Sequence, residues 1–163
     1  MSTGPTQRST PGWNAISSPF RLLALPEYGN PDYGWLSVLD EASLPFEVKR
    51  IFWVRDVPGM VMRGSHLHMS TQQILIAARG SVHVWLSRPE LKDLTYEITL
   101  GVPPFSKPMA LWVWPRTMLW YKFCDTDETD PSLLLVLSDE PYDPDDEVKS
   151  WNEYERRFGD LPE

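Results

Sequence analysis

The chain has 163 residues, 42% of them apolar and 23% charged, and a formal net charge of −8. That is the length of one domain with room for a core, in the ordinary composition of a soluble globular protein. The acidic balance argues against binding nucleic acid through its phosphates, no apolar run nears the roughly 20 residues that span a bilayer, and the single cysteine, Cys124, rules out an internal disulfide.

Residues 1–18 are polar and rich in Ser, Thr, Gly and Pro, which predicts a flexible arm ahead of a single domain over 19–163. From Phe20 onward, short apolar runs alternate with turn signals. The runs are FRLLAL, WLSVL, FEVKRIFWVRDV, QQILIAA, SVHVWLS, LTYEITL, ALWVW, MLWYKF and SLLLVLSD. Val82, Val84 and Leu86 alternate with Ser81, His83 and Trp85, and Leu94, Tyr96, Ile98 and Leu100 share one face of their run. About nine short, closely spaced strands predict an antiparallel sandwich or barrel. Only 145–158 shows helical spacing, through Val148, Trp151, Tyr154 and Phe158. Nothing marks export, so a cytoplasmic location is expected. Arginines in the middle of the chain, Arg50 and Arg63 among them, leave room for a local pocket for a small phosphorylated ligand.

Two of the three histidines, His66 and His68, stand one residue apart. In a strand, residues i and i+2 point the same way, with Cα atoms roughly 6.5–7 Å apart. Two imidazoles on one face can ligate a metal, or serve as a base and an acid. They can also be packing or surface residues. Gln73 follows His68 after four residues, and Gly80 follows after six more. That spacing resembles the first cupin motif, H-x-H-x(3,4)-E-x(6)-G, with glutamine in the place of the ligating glutamate. The second motif, P-x-G-x-x-H, is best matched by PRTMLW, with Trp120 where the histidine falls. Two of the four ligands of a cupin metal site are thus replaced, and no metal or other cofactor is expected.

The segment Arg63-Gly64-Ser65-His66-Leu67-His68, followed by Gln72-Gln73 and Gly80-Ser81, resembles the cupin sugar-nucleotide 3,4-ketoisomerases. These act on dTDP-4-keto-6-deoxyglucose in deoxysugar biosynthesis. PFEVKRIFWV and YGWLSVLD resemble further strands of that family and LLLVLSDEPYDPDDEVKSWNEY its closing segment, and the likeness covers about 30–158. The resemblance implies an all-β cupin double-stranded β-helix, a jelly-roll barrel, with a short C-terminal helix. It implies a nucleotide-linked sugar as small-molecule partner, and a homodimer that exchanges an N-terminal strand. The chain departs from the family pattern at Phe52, Trp53, Met69 and Trp120, positions expected near the sugar.

The implied reaction moves a ketone from C4 to C3 through an enediol, which needs a base and an acid but no redox group. His66 and His68 are the candidate catalytic pair. Arg63 is the candidate for the pyrophosphate or the developing oxyanion. Gln73 is expected to orient a histidine or a sugar hydroxyl, Phe52 to line the pocket, and one of Trp112, Trp114 and Trp120 to contact the ligand, with Trp120 favoured. Two other readings stay open. One is a cupin enzyme performing an epimerisation or cyclisation on another metabolite, and the other is a ligand-binding cupin without catalysis.

Overall fold

The computed structural model describes residues 18–58, 61–89, 95–101, 108–124 and 131–159; all but the last residue of the expected arm, and Leu94, lie outside these. Twelve strands form among them: β1 (Phe20–Ala24), β2 (Glu27–Asn30), β3 (Gly34–Ser37), β4 (Arg50–Val54), β5 (Arg63–His68), β6 (Gln73–Arg79), β7 (Ser81–Ser87), β8 (Tyr96–Gly101), β9 (Met109–Val113), β10 (Met118–Phe123), β11 (Leu133–Ser138) and β12 (Glu147–Val148). One sheet has the order β1-β9-β6-β11-β4, a second the order β12-β5-β10-β7-β8, and β2-β3 form a separate hairpin. All pairings are antiparallel. This is the expected jelly-roll barrel. No helix among the described residues is long and apolar enough to cross a membrane.

Strand alternation decides what fills the barrel. Val82, Val84 and Leu86 are fully buried between the sheets with Leu75, Leu100, Leu111, Leu134 and Val136. Gly80 turns β6 into β7 with a φ of 67°, and a Cβ there would collide with the Ser132 hydroxyl. That hydroxyl in turn accepts from the Ser81 amide at 2.9 Å, which fastens the turn to the start of β11. Two further clusters lie outside the barrel. Leu25, Ile74, Ala110 and Leu137 pack beneath the 39–48 segment, and Leu67, Met118 and Val148 pack with Tyr154 of the C-terminal helix.

The helix is shorter than its periodicity predicts. It spans α1 (Trp151–Phe158), with Val148 in β12 instead. Ser150 caps it, accepting from the Glu153 amide at 3.1 Å, while the Glu153 carboxylate accepts from the Lys149 amide at 2.9 Å. These two bonds, one to the cap and one to the residue before it, set the start of the helix. Before it, Asp143 draws the Asp145 amide to its side chain, so the acidic stretch forms a turn.

Candidate active site

The inward positions of β7 and β8 are apolar, but those of β5 are His66, His68 and Arg63. Opposite them stand Arg50 and Phe52 on β4 and Gln73 on β6. One mouth of the barrel therefore stays open as a cavity of about 490 Å³ lined by these residues together with Tyr121, Tyr142 and Glu147.

A bulge builds this wall. Leu119 pairs with His66, yet Tyr121, two residues on, pairs with Arg63, three residues back. In a regular strand, a three-residue separation would send Arg63 and His66 to opposite faces. The extra residue between Gly64 and His66 restores them to one face. Gly64 and Ser65 both adopt left-handed backbone, with φ of 81° and 62°. A Cβ on Gly64 would stand 2.6 Å from the Leu119 carbonyl oxygen, so only glycine fits.

His66 and His68 meet edge to face, ring centroids 5.1 Å apart. Each has a carboxylate beside it from the segment of β12. The Nδ1 of His68 lies 3.2 Å from Asp146 Oδ2, and that of His66 lies 3.5 Å from Glu147 Oε1. Asp146 also accepts from the Ser70 and Thr71 hydroxyls at 2.7 and 2.6 Å and from the Ser70 amide at 2.8 Å. Burial works to raise its pKa, but these bonds overcome it and hold the carboxyl below its ordinary range. A carboxylate can only accept, so His68 Nδ1 carries the proton and donates. Its Nε2 then accepts from the Gln73 amide at 3.3 Å. Burial, then the neighbouring His66, lowers the His68 pKa, against the opposing pull of Asp146. His68 is thus a neutral imidazole with its basic nitrogen fixed.

Two cations face this pair. Arg63 bonds the Tyr121 hydroxyl, whose pKa burial raises more than Arg63 lowers it, so Tyr121 keeps its proton. Arg50 lies over the Phe52 ring at 4.5 Å and the Tyr142 ring at 5.1 Å. Among the described residues no group of three or more His, Cys, Asp or Glu side chains is placed to hold a metal.

His66, His68, Arg63, Gln73 and Phe52 therefore meet at one cavity. Trp120 does not. On β10 the pleat turns Leu119 and Tyr121 inward, and Trp120, like Met69 and Trp151, packs outside against the cluster of Leu67, Met118, Val148 and Tyr154. Trp112 is also outside the barrel, donating to Gln72 at 3.1 Å. Trp114 lies behind the histidines, at a space of about 10 Å³ that has room for about one water. Sequence reasoning missed Asp146, Glu147, Tyr121 and Tyr142. Tyr142, Asp146 and Glu147 nonetheless lie in LLLVLSDEPYDPDDEVKSWNEY, a segment that resembles the family.

Residues 18–158 match the family described as FdtA: WxcM-like, C-terminal. The chain belongs to this family. Among curated proteins it is similar to the TDP-4-oxo-6-deoxy-alpha-D-glucose-3,4-oxoisomerase of Aneurinibacillus thermoaerophilus, at 26% identity over 77% of this chain and 83% of that protein. Among solved structures, the sugar 3,4-ketoisomerase QdtA of Thermoanaerobacterium thermosaccharolyticum, in complex with TDP, superposes with a TM-score of 0.73. It is 26% identical, over 88% of this chain and 99% of that one. The TDP-quinovose 3,4-ketoisomerase WlaRB of Campylobacter jejuni gives a TM-score of 0.69 at 25% identity, over 84% and 97% of the two chains.

Within this FdtA-family chain, the departures noted in the sequence sort by position. Met69 and Trp120 lie under the helix, and Trp53 is exposed on the outer face of β4. Of the four, only Phe52 lines the cavity. The expectation that all of them flank the sugar is corrected, because inward and outward positions alternate along each strand.

Proposed function

We propose that this chain is a cofactor-independent 3,4-ketoisomerase of a nucleotide-linked 4-keto-6-deoxyhexose, working through its two histidines. The observation that carries the reading is the pair of imidazoles, each beside a carboxylate, in a cavity that also holds two arginines. The matched relatives supply the reaction class, since each is named for the same transfer of a ketone between C3 and C4.

The C4 ketone acidifies the proton on C3. His68 is the base: its Nδ1 proton is held by Asp146, so Nε2 presents its lone pair once Gln73 yields to substrate. Charge grows on O4 as the C3–H bond breaks. The protonated Tyr121 is the donor that meets it, and His66, with Nδ1 beside Glu147, joins it from Nε2 when both of its nitrogens carry protons. The protonated His68 then delivers a proton to C4 while the O3 proton passes to the group that had donated to O4, which leaves the ketone on C3 and resets both groups. Arg63 and Arg50 bind the diphosphate, for which Arg63 has the planar fork.

The test incubates the protein with dTDP-4-keto-6-deoxyglucose in deuterated buffer and follows the sugar by NMR. A 3-keto product with solvent deuterium at C4 is expected. No product and no exchange with any keto-sugar nucleotide overturns the proposal. Product that keeps its ketone at C4 with an inverted carbon instead points to an epimerase.

The protein works in the cytoplasm, in keeping with an exposed, unpaired Cys124. It works as a homodimer, supported by exposed Tyr28, Trp35 and Leu36 on the β2-β3 hairpin and by exposed Ile51 and Trp53 on β4. A lone two-stranded hairpin is marginal in water, and such a surface asks for a covering partner.

A further inference from the structure

The C-terminal helix lies outside the barrel, yet it is tied to both members of the histidine pair. From α1, Arg157 reaches back past its own first turn. Its Nη1 donates to the Glu147 carbonyl at 2.9 Å and its Nη2 to the Asp145 carbonyl at 2.6 Å. Those carbonyls bracket Asp146, so one guanidinium spans the three residues that carry the two carboxylates. Arg157 is itself steadied by Glu153 at 3.4 Å, the residue whose amide is capped by Ser150. The other tie runs through Arg116. Its amide donates to the His68 carbonyl at 2.6 Å, and its guanidinium donates to the Tyr154 hydroxyl on α1 at 2.7 Å.

β12 needs this help. It is two residues long, among the described residues it pairs only with β5, and it sits at the edge of its sheet, with Glu147 beside His68 and Val148 beside Leu67. A two-residue strand fixes little by its ladder alone. The direction of its side chains nonetheless decides whether Asp146 meets His68 Nδ1 and Glu147 meets His66 Nδ1. Arginine suits the place, since its planar fork spans two acceptors at once and lysine offers a single point charge.

We propose that Arg157 is a positioning residue for the acid–base pair: through the carbonyls of Asp145 and Glu147 it sets Asp146 on His68 and Glu147 on His66. The helix is thus part of the working site, although none of its residues lines the cavity. This inference rests on the isomerase reading for its effect on turnover, but its effect on the imidazoles stands apart from any substrate.

The experiment compares Arg157→Ala with Arg156→Ala, which removes an equal charge from the same helix. In 15N-labelled protein, with three histidines to assign, His68 should show a single Nδ1–H tautomer in the wild type and in Arg156→Ala. In Arg157→Ala it should move toward a tautomer mixture. With the keto-sugar nucleotide, Arg157→Ala should lower kcat by about tenfold to a hundredfold with KM within about twofold. In an Asp146→Asn, Glu147→Gln background the same change should cost less than about twofold, because the groups it positions are gone. His68 signals and kcat that match those of Arg156→Ala overturn the proposal, and so does an equal loss in both backgrounds. Should wild type turn over no keto-sugar nucleotide, the isomerase reading falls and the tautomer comparison alone decides this one. If Arg157→Ala does not fold, Arg157→Lys carries the same comparisons, with smaller changes expected in the same direction.

Discussion

Asp146 lies 78 residues beyond His68 in the chain, and its carboxylate still meets the imidazole Nδ1 at 3.2 Å. Four further bonds from Ser70 and Thr71 hold that carboxylate in place. Asp146→Asn keeps the shape but offers an amide that can turn its N–H toward the ring. The ring is then free to place its proton on Nε2, where no base remains. The expected outcome is a fall in kcat of about 10²–10⁴, the range for losing a positioned acid or base, with TDP binding within a few-fold. His68→Asn and His66→Asn should each fall in the same range, and His83→Asn, on β7 outside the cavity, should change little. Steady-state kinetics beside calorimetric TDP titration checks all four. Full activity in both His66→Asn and His68→Asn would make the pair structural.

The pH dependence follows from the direction of the His68 shift. The base works unprotonated, and burial together with His66 holds its pKa below the ordinary 6.5. The acid limb of kcat/KM is therefore expected below pH 6.5. Asp146 stabilises the imidazolium, so its removal should move that limb to still lower pH in whatever activity Asp146→Asn retains. A limb at or above 6.5 in the wild type counts against His68 as the base.

Stability should follow the same group. The folded protein binds the His68 proton less readily than the unfolded chain does, so folding is fully favoured above pH 6.5 and loses ground as pH falls through the folded value. Asp146, held below its ordinary 3.8, adds a second loss at lower pH. Asp139 works the other way, since burial raises its pKa and favours folding in acid. Thermal melts between pH 7 and 5 should therefore show a falling Tm in the wild type and a flatter profile in His68→Asn. Equal slopes would remove His68 as the source.

Much of this site was legible in sequence because its central facts are local. The i, i+2 spacing of His66 and His68 and the distance on to Gln73 and Gly80 both survive folding, since strand geometry fixes them. The alternation of Val82, Val84 and Leu86 named the buried face correctly for the same reason. What sequence could not carry is which of two apolar sets on β10 faces in. MLWYKF has apolar residues on both sides, one for the barrel and one for the helix above it, and motif spacing favoured Trp120 over Tyr121. The pairing of Asp146 and Glu147 with the histidines is long-range, and an acidic turn reads in sequence only as a solvated charge cluster. The bulge left one trace, a glycine inside a strand.

That glycine can be tested directly. Gly64→Ala forces a Cβ against the Leu119 carbonyl in a left-handed backbone, a strain of about 1–3 kcal/mol. The cheapest relief is to lose the bulge, which would turn Arg63 out of the cavity and away from Tyr121. A lowered Tm and weakened TDP binding are expected together, with Arg63→Lys reproducing the loss of binding while Tm stays nearer the wild type. Gly64→Ala that binds TDP as tightly as wild type would show that the bulge does not place Arg63.

The apolar surface away from the site gives the last prediction. Trp53 is 62% exposed and Ile51 58% exposed on β4, which ends its sheet and pairs only with β11 among the described residues. An edge strand with a large exposed aromatic face is an aggregation hazard unless something covers it. The β2-β3 hairpin presents Trp35 and Leu36 with no sheet of its own to join. A second copy covering both would bury several aromatic and aliphatic side chains, and a stable pair needs more than about 1,000 Å² in all. Light scattering on the purified protein should therefore give twice the 18.8 kDa of one chain. Trp53→Lys should shift that mass toward a single chain at low concentration, through the cost of burying an unpaired charge. The cavity residues lie on the inner faces, so His68 in such a monomer should keep its Nδ1–H tautomer. A wild type that stays at the mass of one chain over the whole concentration range would leave the hairpin to pack against its own barrel, and the homodimer would be wrong.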